Sequence, residues 1–249
     1  MAAFNLEEAT IADVHRAFKS GELTAKKLVE MYLKRIEAYD RKGPTLNAVI
    51  TVRPKALEET AALDAKFRKS GPAGPLHGIP VLLKDNVNTK DMPTTGGSRS
   101  LEGYVPPADA FIAKKLREAG AILLAKVNLH EFAVWGESVS SILGQTLNPY
   151  DLTRTPGGSS GGTGAALAAN FGILGIGTDT VNSIRSPASA CSLAGIRPTI
   201  GLVSRGGIIP YSLTQDAAGP MARTVADTAK MLYVLAGYDP GDAATAWSV

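Results

Sequence analysis

The chain has 249 residues, 45% of them hydrophobic and 20% charged, with a formal net charge of +3. These are the proportions of a globular domain rather than of a disordered one. The basic residues are dispersed, and Lys26, Lys27 and Lys34 fall in an amphipathic helical pattern that reads as a solvated face, which excludes a polybasic surface for nucleic acid or membrane.

Residues 1–16 show no apolar core behind a basic head, so no secretory leader is read there. Thr10 caps a first helix that runs to about Lys19 and stops at Gly21. Thr24 caps a second, with Leu28, Met31, Leu33 and Ile36 on one side, and a third runs from about Pro54 to Lys69. These helices carry no recognisable chemistry and are expected to pack over the rest. The apolar run Gly78–Leu83 predicts a buried strand, followed by a long polar loop, 84–107. A helix from about Ala108 to Ala119 leads into a strand over Ala121–Val127. Strand, helix and strand in that order predict a central sheet with helices on its faces.

Glycine then becomes dense, at 157, 158, 161, 162, 164, 172, 175 and 177. A helix is expected over Thr163–Phe171, a strand over Gly172–Thr178, a functional loop over Asp179–Pro187 and a last helix over Val225–Ala236. The most apolar stretch, 164–178, is too short and too rich in glycine to span a bilayer. The only cysteine, Cys191, excludes an internal disulfide framework, fits a reducing, cytoplasmic compartment, and reads as a small core residue. No internal repeat and no Pro/Ser-rich linker divides the chain, so one domain, 1–249, is expected, with a helical part at 1–70 and a catalytic core segment at 75–249.

The histidines offer little. His130-Glu131 begins like the zinc motif H-E-x-x-H, but Val134 stands where the second ligand belongs. His15 and His77 have no partner motif, and no Cys/His cluster has metal spacing. Gly157-Gly158-Ser159-Ser160-Gly161 matches the G-x-S-x-G elbow in form, yet no histidine follows His130 to complete that triad. As a phosphate loop it lacks the lysine, although its N–H groups could cradle an anion, and a tight packing turn explains it equally well. What lifts it is company. Ser183 lies in a second polar loop after an apolar strand, and Lys84-Asp85-Asn86 directly follows another. Loops at strand ends are where open α/β folds place their sites, and two serines with a lysine can supply nucleophile, relay and base without histidine.

At these segments the sequence resembles the amidase-signature family. Gly157 to Gly162 is similar to that family's glycine/serine hallmark, and Pro75 to Asn86 to its lysine strand. Lys126-Val127-Asn128 with Glu131-Phe132-Ala133, Asn148-Pro149-Tyr150-Asp151, Ser183-Ile184-Arg185, Gly195 to Thr199 and Gly219-Pro220-Met221 follow in the family order, and the spacing of Lys84, Ser159 and Ser183 also fits. The resemblance implies an α/β fold with a mixed, twisted sheet and helices on both faces. It implies hydrolysis of a carboxylic amide through an acyl-enzyme on Ser183, without metal or organic cofactor. Ser159, after a cis peptide bond, would relay the proton to Lys84 and later protonate the leaving amine. Lys84 must then rest neutral, its pKa brought from about 10.4 toward roughly 7–8 by burial. Backbone N–H groups of Thr180, Val181, Asn182 and Ser183 would form the oxyanion hole, with Ser160, Asp179 and Arg185 in support.

Two departures stand out. Val181-Asn182 replaces the Gly-Gly expected before the nucleophile, and the chain ends at Val249, short of the length expected for such a domain. The C-terminal part of the domain is therefore expected to be missing, with a homo-oligomer or a partner chain covering that place. Two other readings stay open: the amidase subunit of an ammonia-transferring complex, and a non-catalytic binding or regulatory fragment. The substrate itself is not legible beyond a small-molecule amide.

Overall fold

The computed structural model describes residues 4–248. Two capped helices open the chain. In α1 (Ile11–Ser20), Thr10 and Asp13 form a reciprocal capping box, and Thr24 caps α2 (Ala25–Ile36), which ends in a wide turn at Glu37–Arg41. A strand that the sequence reading passed over, β1 (Val49–Val52), follows, then α3 (Ala56–Ser70). Next come β2 (Pro80–Lys84), α4 (Phe111–Glu118) and β3 (Ile122–Val127). A small hairpin, β4 (Val139–Ser140) with β5 (Gly144–Gln145), precedes α5 (Gly161–Ala168) and β6 (Leu174–Asp179). Then come α6 (Arg185–Ala190), β7 (Ala194–Gly195), β8 (Ala217–Ala222) and α7 (Val225–Leu235), and the described chain closes with a 3-10 turn at Ala243–Ser248.

The six-stranded sheet has the order β1-β3-β2-β6-β8-β7. Its centre is parallel, β3 with β2 and β2 with β6, while β1, β8 and β7 join antiparallel. Strands β2 and β3 are buried along their whole length. Strands covered on both faces read as continuous apolar runs, which is why these two were visible in the sequence. Helix α5 packs on β2, β3 and β6 together with α6, whereas α4 packs on β3 together with α7. The N-terminal helices share this core through Val14, Leu28 and Tyr32 rather than forming a separate unit.

Two boundaries differ from the sequence reading. Helix α5 begins at Gly161 and ends at Ala168, where Thr163–Phe171 was expected, and β6 begins at Leu174 rather than Gly172. Glycine disfavours helix by about 1 kcal/mol relative to alanine, but close packing overrides propensity here. A Cβ on Gly162 would lie 2.1 Å from Asn128 O, and one on Gly175 would lie 2.5 Å from Thr163 Cγ2. Helix and strand approach so closely that only glycine fits at both places. Helix α4 also starts later than expected, at Phe111.

The loop 84–107 is polar in sequence but largely buried, with Asp85, Asn86, Thr89, Thr94, Thr95 and Ser98 enclosed. It leaves the carboxyl edge of the parallel strands, where Lys84 ends β2 and Asp179 ends β6. His15 and His77 are packing residues: His15 Nε2 lies 3.0 Å from His77 O, and the His77 ring stacks on Phe67. Cys191 is buried in the core, and burial pushes its thiol up to about 12. Among the described residues, no helix is long and apolar enough to cross a membrane.

Candidate active site

Lys84 is the last residue of an apolar strand and is fully buried. Its Nζ lies 2.7 Å from Ser159 Oγ and 2.7 Å from Thr178 Oγ1. Among the described residues no carboxylate pairs with it. Burial drives its pKa from 10.5 down to about 7, against the weaker upward pull of Asp179 and Asp216. Removing an ammonium from water disfavours its charged form, and the two hydroxyls beside it offer hydrogen bonds without offering charge.

Ser159 and Ser160 sit where the glycine/serine segment turns into α5, and the Gly158–Ser159 peptide is cis. Ser159 is fully buried. Its carbonyl accepts from the His130 N–H at 3.0 Å. Ser138, which the sequence reading did not single out, ties the segment down. Its Oγ donates to Gly157 O at 2.9 Å and accepts from the Gly161 N–H at 2.8 Å. Ser160 Oγ bridges to β6, donating to Thr178 O and accepting from the Thr178 N–H, both at 3.2 Å.

The loop after β6 carries Thr180, Val181, Asn182 and Ser183. The carbonyls of the last three are engaged by protein donors. The Arg185 guanidinium donates to Val181 O, the Ser186 N–H to Asn182 O at 2.7 Å, and the Ser160 N–H to Ser183 O at 3.3 Å. Asp179 anchors the base of the loop, accepting from the Ile184 N–H at 3.0 Å and Arg185 Nε at 3.1 Å, with Arg197 Nε 3.2 Å away. Burial alone would raise the Asp179 pKa, but the donors from Arg185 and the backbone outweigh it and hold the carboxyl below its ordinary value. Among the described residues, the backbone N–H groups of Thr180 to Ser183 donate to no protein acceptor. Neither Val181 nor Asn182 has a positive φ, so the loop takes this shape without the freedom of the Gly-Gly pair. Val181 turns its side chain outward and is 71% exposed.

Ser183 and this loop form part of a cleft of about 660 Å³ whose walls include Trp135 and Tyr211. A neighbouring cavity of about 200 Å³ is lined by Asn86, Thr178, Thr180 and Asp216. Among the described residues Ser183 Oγ makes no side-chain hydrogen bond, and its link to the Ser159–Ser160 segment runs through its carbonyl. Catalytic hydrogen bonds often tighten only when substrate is bound.

The arrangement joins a hydroxyl at Ser183 that lines the cleft, a fully buried hydroxyl at Ser159, an amine whose pKa is lowered to about 7 and a row of N–H groups with no protein acceptor among the described residues. Chemically it can activate an alcohol nucleophile and stabilise an oxyanion. Every site residue read from the sequence gathers here, while Thr178, Asn86, Ser138 and Asp216 were missed. Thr178 had a signal, since it ends the apolar run directly before Asp179. Ser138 and Asp216 reach the site only through tertiary contact. Among the described residues no group of three or more His, Cys, Asp or Glu is arranged to hold a metal ion.

Comparison with known proteins gives the family and the fold. The family described as Amidase matches residues 27–248. A glutamyl-tRNA(Gln) amidotransferase subunit of Alkaliphilus metalliredigens is 46% identical over 238 residues, which is 95% of this chain and 48% of the relative. Native peptide amidase from Stenotrophomonas maltophilia superposes with a TM-score of 0.93 at 48% identity, covering 96% of this chain and 50% of the other. An amidase family protein from Bacillus anthracis gives 0.93 at 42% identity, covering 96% and 49%. The chain thus spans about half the length of the relatives it matches.

Proposed function

This chain belongs to the amidase family, and on that premise we propose that it hydrolyses a carboxylic amide through an acyl-enzyme on Ser183. The observation that carries the reading is Lys84, buried without a carboxylate partner, 2.7 Å from Ser159 Oγ and with a pKa lowered to about 7. A lysine held neutral near the working pH is a base, whereas an ordinary one is an ammonium.

Ser183 Oγ attacks the amide carbonyl. Its proton passes to Ser159, whose own proton moves to Lys84 Nζ. The carbonyl oxygen becomes an oxyanion facing the N–H groups of residues 180–183, each such donor contributing about 3–4 kcal/mol in comparable sites. When the tetrahedral adduct collapses, the C–N bond breaks. The proton returns from Lys84 through Ser159 to the leaving nitrogen. Water then attacks the ester by the same route, releasing the acid and restoring Ser183. Ser160, Asp179 and Arg185 hold the loop, and Asn86 donates to Thr178 Oγ1 at 3.1 Å, fixing the second hydroxyl beside Lys84.

The test incubates the purified protein with a panel of small aliphatic and aryl amides and follows release of the acid and the amine or ammonia. Release of both in equal amounts, lost in Ser183→Ala, is expected. Release that persists in Ser183→Ala sinks the assignment.

A second reading has its own support in the 46% identity to a component of a glutamyl-tRNA(Gln) amidotransferase. Here the released ammonia would pass to a partner protein. Co-purification with further subunits, and amide cleavage stimulated by them, distinguishes this from a stand-alone hydrolase. A chain that captures amides without cleaving them would be the third, non-catalytic reading, and the same assay separates it.

A further inference from the structure

Asp216 lies outside the Ser183–Ser159–Lys84 constellation, yet its carboxylate is tied to the same loop. Its Oδ1 accepts from the Thr180 hydroxyl, across 36 positions of sequence. Its Oδ2 accepts from the backbone N–H groups of Tyr211 at 2.8 Å and Ser212 at 3.0 Å. The two ends meet because β8 runs antiparallel to β6 with Ala217 opposite Asp179, which sets Asp216 beside Thr180 just beyond the paired strands. An aspartate that only capped the 211–216 turn would need the two backbone N–H groups and nothing from β6.

The bond to Thr180 falls where the loop has no other restraint. The carbonyls of residues 181, 182 and 183 are each held from behind, but Thr180 makes no backbone hydrogen bond among the described residues. Its hydroxyl on Asp216 is what orients the first peptide of the free N–H row. The same carboxylate fastens that loop to Tyr211, which lines the cleft beside Ser183.

We propose that Asp216 is a positioning residue for acyl transfer: through Thr180 it sets the direction of the 180–183 N–H row, and through Tyr211 it fixes the wall of the cleft against that row. The proposal rests on the acyl-enzyme reading above. It carries an electrostatic signature. The charged groups acting on Lys84 are Asp179, at the end of β6 and offset by Arg185 and Arg197, and Asp216. Arg205, near Asp216, is committed to Asp242 at 2.7 Å and 2.9 Å. Asp85, in the turn directly after Lys84, is paired with Lys126 of β3. Removing the Asp216 charge therefore lets Lys84 lose its proton at lower pH.

The experiment measures the rate of Ser183 modification by a fluorophosphonate over the range from about pH 5 to about pH 9 for wild type, Asp216→Asn, Thr180→Val and Thr180→Ser. Displacement of positioned groups by about 1 Å can cost on the order of a hundredfold, so Asp216→Asn and Thr180→Val are expected to react at least about tenfold more slowly. The acidic limb of the profile should move to lower pH in Asp216→Asn and stay in place in Thr180→Val. Thr180→Ser, which keeps the hydroxyl, should recover most of what Thr180→Val loses. An Asp216→Asn protein that reacts at the wild-type rate overturns the proposal, and so does a slower one with an unmoved limb, since a packing defect alone gives that. Should Asp216→Asn not fold, equal rates for Thr180→Val and Thr180→Ser overturn it. A wild type that is never labelled at Ser183 is a different failure, which removes the acyl-enzyme reading and the positioning role with it.

Discussion

Lys84, the last residue of β2, and Lys126, the next-to-last of the parallel neighbour β3, are both completely buried and stand in different electrostatic company. Lys126 Nζ is paired with Asp85 at 2.9 Å and also donates to Thr94 Oγ1 at 2.8 Å. Lys84 faces only the hydroxyls of Ser159 and Thr178 and the Thr178 carbonyl. In the register, Leu83 lies opposite Lys126 and Lys84 opposite Val127, so strand alternation sends the two amines to different faces of the sheet. Burial lowers the pKa of both amines, but Lys126 has the Asp85 carboxylate in contact to oppose it, whereas Lys84 is opposed only by the more distant Asp179 and Asp216.

The paired lysine gives a stability prediction. Asp85→Asn leaves Lys126 buried without a countercharge, a change that typically costs about 3–5 kcal/mol. Denaturant unfolding should show a loss of that order. A loss under about 1 kcal/mol would mean that Thr94 and the Pro93 carbonyl suffice, and that the ion pair is incidental.

The unpaired lysine gives the opposite sign. Its folded pKa, about 7, lies below its ordinary 10.5. Between those values the unfolded chain binds more protons than the folded one, so folding stability falls as pH drops from about 10.5 toward 7. Lys84→Met abolishes this penalty. It should raise the thermal midpoint at pH 7 relative to wild type by more than at pH 10, while lowering amide turnover by about 10²–10⁴. Equal midpoint shifts at both pH values would show that Lys84 is not held neutral.

The same pKa sets the pH dependence of reaction. Only the neutral amine accepts the Ser159 proton, so the rate of Ser183 acylation should rise with pH through an apparent pKa near 7 and level off above it. A limb near the ordinary lysine value would point to a charged Lys84 and another base.

Val181-Asn182 is expected to be compatible with catalysis. Neither residue has a positive φ, so restoring Gly-Gly gains no accessible conformation that the loop uses. It adds freedom to the unfolded chain, a cost of roughly 0.5–1 kcal/mol per glycine. The double variant should be slightly less stable and should acylate within about tenfold of wild type. A gain well beyond that would show that Val181 obstructs the site.

Much of this was legible in the sequence, and what was hidden has identifiable causes. Lys84 and Ser183 stood out because each closes or follows an apolar run, the signature of a loop at a strand end, and Ser159 because it sits in the glycine/serine segment 157–162. Strands β2 and β3 announced themselves by unbroken burial. Strand β8, Ala217–Ala222, did not, because its Ala, Gly and Pro residues carry none of the β-branched bulk that marks a strand. Its small side chains answer the glycines of β6, with Gly177 opposite Gly219, and that match exists only once the sheet has formed. Asp216 was missed for the same reason: the residue it restrains is across the sheet. Val49–Val52 was passed over although it is a β-branched run, Val-Ile-Thr-Val, and its antiparallel place beside β3 depends on the chain reversing through α3.

The assignment on which the proposed chemistry turns is Ser183 as the nucleophile, activated by a neutral Lys84. Its most direct test is mass-spectrometric mapping of the residue modified by a fluorophosphonate at about pH 8, where Lys84 is expected to be mostly neutral. The adduct should lie on Ser183, be absent in Ser183→Ala, and form far more slowly in Lys84→Met. An adduct on Ser159 or elsewhere, or labelling of Ser183 unaffected by Lys84→Met, would contradict the account.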